Sequence, residues 1–548
     1  MVNNMKKTFF RKFMMVGLGI SFFTLSCTNL DEELFSDVTA DNFFKTDDEF
    51  IAALGQAYSN FGGLGNHSNL WSINELTSDE LVITTKGGDW FDGGVLQQLH
   101  LHTYSPDNGF FNNAWTFMYG GVNTCNRLIA QFEALKAGGN ASADAFIAEL
   151  RAIRALWYYW ILDGYGNAPL VIDFKSSEPP ANATRQQIYS FVESELTAVI
   201  AVLPTVKDAS TYGRMTKWAA LAVRSKLYLN AGVYTGTPQW QKAADDAKAI
   251  IDGGKYSLEG SYADNFATNN AGSNENIFVF PYDKVFAGGF NWPMMTLHYA
   301  SQTVYKFTAQ PWNGYQVVEE FYNSYSDPVT NPGPQGPVWK GLALDANNDK
   351  VPDDVGTRDA RLSNFVVGPQ YKPDGTQATD PGFEGATAKQ PDPDGAPLNF
   401  TPKINQLGPD GWRQGGARIG KYAYEIGGTP NMSNDFVVFR YADILLTRAE
   451  ALWKLSPVNG EALTLVNQIR TRAKVTPFAS LTADNLFAER GREMFAEMTR
   501  RQDMIRFDKF GSKYGFKAAA DGKSTLTLFP IPKIQLDANA KLKQNPGY

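Results

Sequence analysis

Apolar residues recur at three- and four-residue spacing from Ile147 to Ile161, through Leu150, Ile153, Leu156, Trp157 and Trp160, a pattern that predicts a helix. Tyr158 and Tyr159 widen the stripe beyond what one solvent-facing helix carries, so this helix needs neighbours on two sides. Gly164 and Gly166 stop it, and Asn167-Ala168-Pro169 turns the chain into an extended Leu170-Val171-Ile172. Stacked helical pairs require a helix wedged in this way, which places Glu149 to Asp173 at the centre of an all-α scaffold. Taken alone, the stretch also suits an ordinary core helix of a mixed fold.

The same period appears on both sides. Asp47 to Asn60, Trp115 to Lys136 and Arg185 to Leu203 read as amphipathic helices, the last ended by Pro204. Thr216 to Ala231 and Trp240 to Asp252 form a pair with a short joint, and short joints make antiparallel neighbours. A second pair, Arg440 to Leu455 and Asn459 to Lys474, carries Ala442, Ala449, Ala451 and Ala462 at its crossing points. Helix–turn–helix units of about 34 residues with small residues at contacts resemble tetratricopeptide repeats. From 260 to 434 the texture changes to Gly, Pro, Asn and Asp, and Asn331-Pro332-Gly333-Pro334 cannot be helical. So long an irregular stretch inside a compact protein is usually functional. The expectation is therefore a mainly all-α scaffold built from both chain ends, with the irregular middle draped over it.

The start of the chain adds an address. Lys6, Lys7, Arg11 and Lys12 precede an apolar run from Phe13 to Leu25 that is too short to span a bilayer and has the flank of a secretory signal. Cys27, directly after that run and a small residue, looks like the acylation site of a lipoprotein whose signal peptide covers residues 1–26. A plain secretory signal with an incidental cysteine is the alternative, since Thr24 stands where such motifs prefer an aliphatic residue. After processing, Cys125 has no partner and is expected to be a buried thiol. A net charge of −7 and the lack of any basic stripe argue against nucleic acid as a partner. Twelve Trp and 24 Tyr exceed what a core needs and leave rings free to stack on a ligand.

Several blocks, in order along the chain, resemble the SusD/RagB-like outer-membrane lipoproteins of Bacteroidetes. They are Asn42-Phe43-Phe44, Asn74-Glu75-Leu76 with Asp79-Glu80, Leu150 to Ala155 running on to Tyr165-Gly166-Asn167-Ala168-Pro169-Leu170, and Lys226 to Tyr234. Arg440 to Leu446, Glu489 to Arg506, Pro530-Ile531-Pro532 and Gln544 to Tyr548 complete the set. Asp31-Glu32-Glu33 resembles the surface-export signal of such lipoproteins. The resemblance implies an α-helical, tetratricopeptide-like fold, with an N-terminal region over 27–259 and a C-terminal region over 260–548. The latter would be loop-rich over 260–434, where the ligand face lies, and helical over 435–510. It also implies a non-catalytic role at the outer-membrane surface: capturing oligo- or polysaccharide, or in some members peptide, and passing it to a SusC-like TonB-dependent transporter.

Asn74 to Gly94 concentrates what sugar binding needs. Trp90 and Phe91 offer flat faces to a pyranose ring, while Asp79, Lys86 and Asp89 can make charge-assisted bonds to hydroxyls. Gly87-Gly88 and Gly93-Gly94 let the backbone turn and present them. Asn74 and Asp79 suit bracing of this loop as well as they suit contact. In starch-binding members of the family, aromatic residues follow this block, but here Ile83, Thr84 and Thr85 do, which points away from an α-glucan and toward Trp90. The family also places ligand-facing aromatics in the middle region, where Trp292, Trp312 and Tyr315 are the candidates.

No cofactor is expected. Calcium is the one ion with a candidate site, at Asp345, Asn347, Asp349 and Asp353, whose alternating oxygen donors resemble half an EF-hand loop. That loop lacks the glycine at its sixth position (Lys350) and the glutamate at its twelfth (Gly356). His100 and His102 would share one face if this stretch is a strand, but with no third metal ligand in view they read as structural histidines. Glu489, Glu493 and Glu497 sit among arginines and read as an ion-pair ladder. Peptide in place of glycan is the second functional reading. A helical glycoside hydrolase is the third, although no pair of acids identifies itself as its catalytic carboxylates.

Overall fold

The helix Ala143–Gly164 is buried at every residue from Ala152 onward and packs against both Gly109–Ala137 and Arg185–Val199. It crosses the first of these so closely that a Cβ on Gly121 would lie 2.7 Å from Trp157 Cδ2, a separation only glycine permits. Trp157 in turn stacks on Phe61, with ring centroids 4.5 Å apart and planes 12° from parallel. The polar residues on this buried helix are paired. Glu149 accepts from Arg214 and Tyr58, and Arg154 donates to Glu195 at 2.5 Å.

The computed structural model describes residues 46–137, 143–325, 359–382, 394–522 and 524–548. Phe50 to Tyr548 form one unit. Of the unit before it only 46–49 are described, where Thr46 and Glu49 cap the start of a helix. Cys27 lies outside the described residues, and so do all four calcium candidates, Asp345, Asn347, Asp349 and Asp353.

From the central helix the scaffold continues as a series in which each member packs on the next. Arg185–Val199 meets Lys217–Leu229, which packs on Trp240–Asp252. That helix packs on Tyr441–Leu455, which packs on Gly460–Arg472, and Ala483–Met494 follows. The step from Trp240–Asp252 to Tyr441–Leu455 closes the scaffold across the whole irregular middle. The fold is mainly all-α, with 47% of the described residues helical, on a tetratricopeptide-like scaffold. Side-chain caps set the helix starts. Thr184 forms a capping box with Gln187 and Thr482 one with Asn485, while Thr216 and Asn459 accept from the backbone of Ala219 and Ala462.

Three local expectations change. The long helix begins at Gly109 rather than Trp115, because Phe111 and Ala114 are buried and Asn112-Asn113 merely interrupts their pattern. The helix from Arg185 ends at Val199, and a turn carries the chain to Pro204. His100 and His102 end a short helix, Val95–Leu101, instead of lying on a strand. His100 sits against the Leu81 carbonyl, and burial lowers its pKa to about 4. His102 bonds Asp521 at 2.8 Å and stacks on Phe510. Both are structural.

Among the described residues there are four short antiparallel strand pairs, of which the first two pin the middle region to the scaffold and the last two lie within it. Leu81–Ile83 pairs with Tyr315–Val317, and Asn276–Phe280 with Phe436–Arg440. Phe365–Val366 pairs with Arg418–Ile419, and Gly368–Pro369 with Asn399–Phe400. The glutamates read as an ion-pair ladder are paired with arginines, and the network is buried. Arg440 bonds Glu275, Glu493 and Glu497, while Arg361 bonds Asp359, Glu489 and Glu493. Cys125 is a buried free thiol, pushed up to about 12 by that burial. Among the described residues no helix is long and apolar enough to cross a membrane.

Candidate functional site

The first strand pair brings the two candidate stretches together. After Ile83 the chain stays buried through Thr84, Thr85 and Lys86, then reverses in a turn where Lys86 and Asp89 exchange backbone hydrogen bonds. The turn is docked on its outer side, since Thr85 N–H donates to the Leu407 carbonyl and Gly87 N–H to the Pro409 carbonyl. Beyond it Trp90 adopts φ 59° and Asp92 φ 41°, left-handed conformations that non-glycine residues seldom take and that cluster at functional sites. Opposite, Trp312, Asn313 and Gly314 donate in turn to the carbonyls of Met294, Leu297 and Met295.

These two segments meet where the Trp90 indole reaches the backbone of Trp312 and Gly314. Trp90 Nε1 donates to the Trp312 carbonyl at 2.6 Å. The Trp90 ring lies on Gly314, where a Cβ would come 2.6 Å from Trp90 Cε2. Trp312 is 37% exposed and Phe91 55% exposed. His67 stands between the indoles, its ring centroid 5.2 Å from Trp312 and 6.5 Å from Trp90. Asn291 Nδ2 donates to His67 Nδ1 at 3.2 Å, and burial lowers the imidazole pKa, so the ring is neutral at neutral pH. The result is an aromatic platform of Trp90, Trp312 and His67, with the exposed Phe91 and Asp92 following Trp90 along the chain. Of the sequence candidates, Trp90 and Trp312 share this surface and Phe91 adjoins it.

Four others lie elsewhere, three of them because they are buried and Asp79 because it is held by Arg500. Trp292 has no exposed surface and packs against Trp71, Tyr422 and Phe290 in the core. Tyr315 is equally buried. Its hydroxyl bonds Ser72 Oγ at 2.7 Å and the His67 carbonyl at 2.8 Å, and its ring meets Trp90 edge-on at 6.2 Å. Neither can present a face to a ligand, but both support the platform. Asn74 is a buried helix residue donating to the Leu70 carbonyl, and Asp79 is held by two bonds from Arg500, at 2.6 and 2.8 Å. Each braces the segment that leads to the platform.

The two charged candidates of the turn are also engaged. Lys86 Nζ donates to the Thr84 carbonyl at 3.0 Å. Asp89 accepts from the Tyr299 hydroxyl, and its carboxyl is raised above the usual range by burial, partly offset by that bond and by Lys86. They fix the turn's shape. Among the described residues no group of three His, Cys, Asp or Glu side chains could hold a metal.

His67 escaped the sequence reading. Its flanks, Asn66-His67-Ser68-Asn69, look like any polar loop, and its place comes from the Tyr315 hydroxyl, 248 positions away, pinning its carbonyl. Trp412, in the loop that docks the turn, escaped it too, although a tryptophan among Gly411, Gly415 and Gly416 carries the same glycine-flanked signal as Trp90.

Comparison with known proteins adds two kinds of likeness. Residues 274–548 match the model of the SusD family, and residues 35–229 match a model described as starch-binding and associating with the outer membrane. The chain is 27% identical over 513 residues to the starch-binding protein SusD of Bacteroides thetaiotaomicron, covering 89% of this chain and 86% of that one. It is 22% identical over 555 residues to the SusD-like protein P2 of Formosa agariphila, covering 96% and 97%. Among solved structures, surface glycan-binding protein A of Bacteroides thetaiotaomicron in complex with laminarihexaose superposes with a TM-score of 0.66, at 21% identity over 91% of this chain and 99% of that one. A laminarin-binding SusD-like protein gives 0.67, at 19% identity over 92% and 100%. At such identities the structural likeness establishes the fold.

Proposed function

The chain belongs to the SusD family, and on that premise we propose that it is a glycan-binding protein of the outer-membrane surface. The observation that carries the reading is the platform itself: Trp312 and Phe91 present exposed ring surface beside Trp90, and Trp90 is fixed by a hydrogen bond and by Gly314. A sugar ring has an apolar C–H face and a rim of hydroxyls, and rigid aromatic faces with a polar border complement both. Preorganisation matters because rings that are already immobile lose little entropy when a ligand arrives. The relatives named for starch and laminarin support glycan as the cargo class. Ile83, Thr84 and Thr85 are all buried, so no second aromatic arc stands on that stretch.

The role is binding rather than hydrolysis. Of the acids around the platform, Asp89 holds Tyr299 and Asp79 holds Arg500, which leaves the exposed Asp92 at its border. Glu489 and Glu493 are enclosed by arginines. Acyl chains on Cys27 tether the chain, and captured oligosaccharide passes to a SusC-like TonB-dependent transporter.

A glycan array followed by calorimetry tests this. The expected outcome is oligosaccharide binding that Trp90→Ala and Trp312→Ala each weaken strongly. Binding of oligopeptides in place of oligosaccharides, or full affinity in both variants, overturns it.

A further inference from the structure

We propose a second glycan-binding subsite, centred on Trp412, in a separate cleft of the middle region. The cleft encloses about 400 Å³ and is lined by Gln377, Pro397, Asn399, Thr401, Trp412 and Gln414. A turn closed by Gly415 N–H on the Trp412 carbonyl builds it. Arg413, 1% exposed, turns inward to Asp380 and Asp394 at 2.8 Å each, while its neighbours Trp412 and Gln414 line the cleft. Three bonds hold the walls. Asn399 N–H donates to Gln414 Oε1 at 2.6 Å, Gln377 Nε2 to the Leu398 carbonyl at 3.2 Å, and Trp412 N–H to Asn405 Oδ1 at 2.8 Å.

The chemistry of this lining selects its ligand. It combines one half-buried indole with the amides of Gln377, Asn399 and Gln414 and the hydroxyl of Thr401, and no carboxylate lines it among the described residues. Amides and hydroxyls both donate and accept, as sugar hydroxyls do, and an indole supplies the flat apolar face. The Lys403 ammonium stands 5.9 Å from the Trp412 ring centroid, a further donor at the edge. An uncharged oligosaccharide meets all of these groups, whereas a cation meets no anionic ligand.

The cleft is structurally continuous with the platform. Gly411 N–H, one residue before Trp412, donates to the Thr85 carbonyl at 2.9 Å, and Lys86 bridges to Asp410. The loop bearing Trp412 is therefore bound to the turn bearing Trp90. A polysaccharide engaging both sites gains avidity, because the second contact forms at high effective concentration.

The proposal rests on the glycan reading, and the test separates the two. Migration of the intact protein through native gels containing laminarin, glycogen or xyloglucan is compared for wild type, Trp412→Ala, Gln377→Ala and Trp90→Ala/Trp312→Ala, with melting temperatures checking each fold. The subsite predicts that Trp412→Ala weakens retardation by its best polysaccharide about fivefold or more, and Gln377→Ala less. Calorimetry with a trisaccharide of the same linkage at the platform should stay within twofold for both variants. Retardation of Trp412→Ala and Gln377→Ala equal to wild type, with loss confined to Trp90→Ala/Trp312→Ala, overturns the subsite alone. Wild-type migration unaffected by every polysaccharide overturns both readings.

Discussion

Trp90 Nε1 donates to the backbone carbonyl of Trp312 at 2.6 Å, so one indole of the platform fixes the backbone that carries the other. The bond joins a loop near the start of the folded unit to one in its irregular middle. The strand pair Leu81–Ile83 with Tyr315–Val317 sets the register that makes it possible. The platform is thus a property of the closed fold and is absent from either segment alone.

Gly314 is the position where this dependence is most exposed. A methyl group there would lie 2.6 Å from Trp90 Cε2 and 2.8 Å from the Met295 carbonyl, and the backbone side cannot give way. Gly314→Ala should therefore displace the Trp90 ring and lower glycan affinity about tenfold or more, on the order of 1.4 kcal/mol. Gly120→Ala, which meets nothing within 4 Å, should leave affinity unchanged. Calorimetry on the two variants checks the pair.

The scaffold was legible in the chain because its helices bury one face at a fixed period. Trp240–Asp252 was readable to the residue, and the starts assigned at Thr216 and Asn459 are the capping residues of their helices. The site was legible only in part. Trp292, Trp312 and Tyr315 look alike in an irregular segment without a period, and nothing local says which ring points inward. Tyr315 is buried because its strand pairs with Leu81–Ile83, and Trp292 because it meets Trp71, both contacts from distant sequence. His100 and His102 are structural, as the sequence suggests, but stand on a helix: seven residues are too few to tell its period from strand alternation.

Arg440 should prove among the most sensitive positions for folding. It ends the strand Phe436–Arg440, is fully buried, and bonds Glu275, Glu493 and Glu497 at 2.6 to 2.7 Å. Arg440→Met leaves three buried carboxylates short of their cation, and removing one partner of a buried pair costs about 3–5 kcal/mol. Lys248→Ala breaks only the exposed pair with Asp252, for which under about 1 kcal/mol is expected. Urea unfolding of both variants measures the contrast. A loss below 1 kcal/mol for Arg440→Met would show that the network relaxes around the gap.

Tethering gives a cellular prediction. With Cys27 acylated, fractionation should find the protein with the outer membrane, accessible to antibody on intact cells. Cys27→Ala should move it to the soluble fraction while leaving glycan affinity within twofold, because the platform lies far along the chain from the anchor. Membrane retention of Cys27→Ala would remove the anchor assignment.

Glu75 and Glu80 couple stability to pH in a direction opposite to most carboxylates. Both are buried and hydrogen-bond to each other, leaving Glu75 Oε2 and Glu80 Oε1 with no other partner among the described residues. Their remaining oxygens accept from Met498 N–H at 2.7 Å and Ala496 N–H at 2.8 Å, clamping a turn in which both of those residues have positive φ. Burial raises Glu75 to about 7, and burial together with the Glu75 charge raises Glu80 well above its ordinary value. The native state therefore holds protons that the unfolded chain releases above pH 4.5, so their contribution is complete below that range and is lost as pH rises through about 7. Glu493, depressed to about 2 although buried because Arg472, Arg440 and Arg361 surround it, acts the other way, contributing above the ordinary Glu range and losing that only under acid. Above about pH 7, where His67 and His100 are neutral in the folded and the unfolded chain alike, the buried pair should thus set the slope, and melting temperature should fall as pH rises there. Glu80→Gln keeps an N–H donor toward Glu75 but cannot ionise, so its melting temperature should fall less steeply. A Glu80→Gln profile parallel to wild type would show that the shared proton does not govern stability in that range.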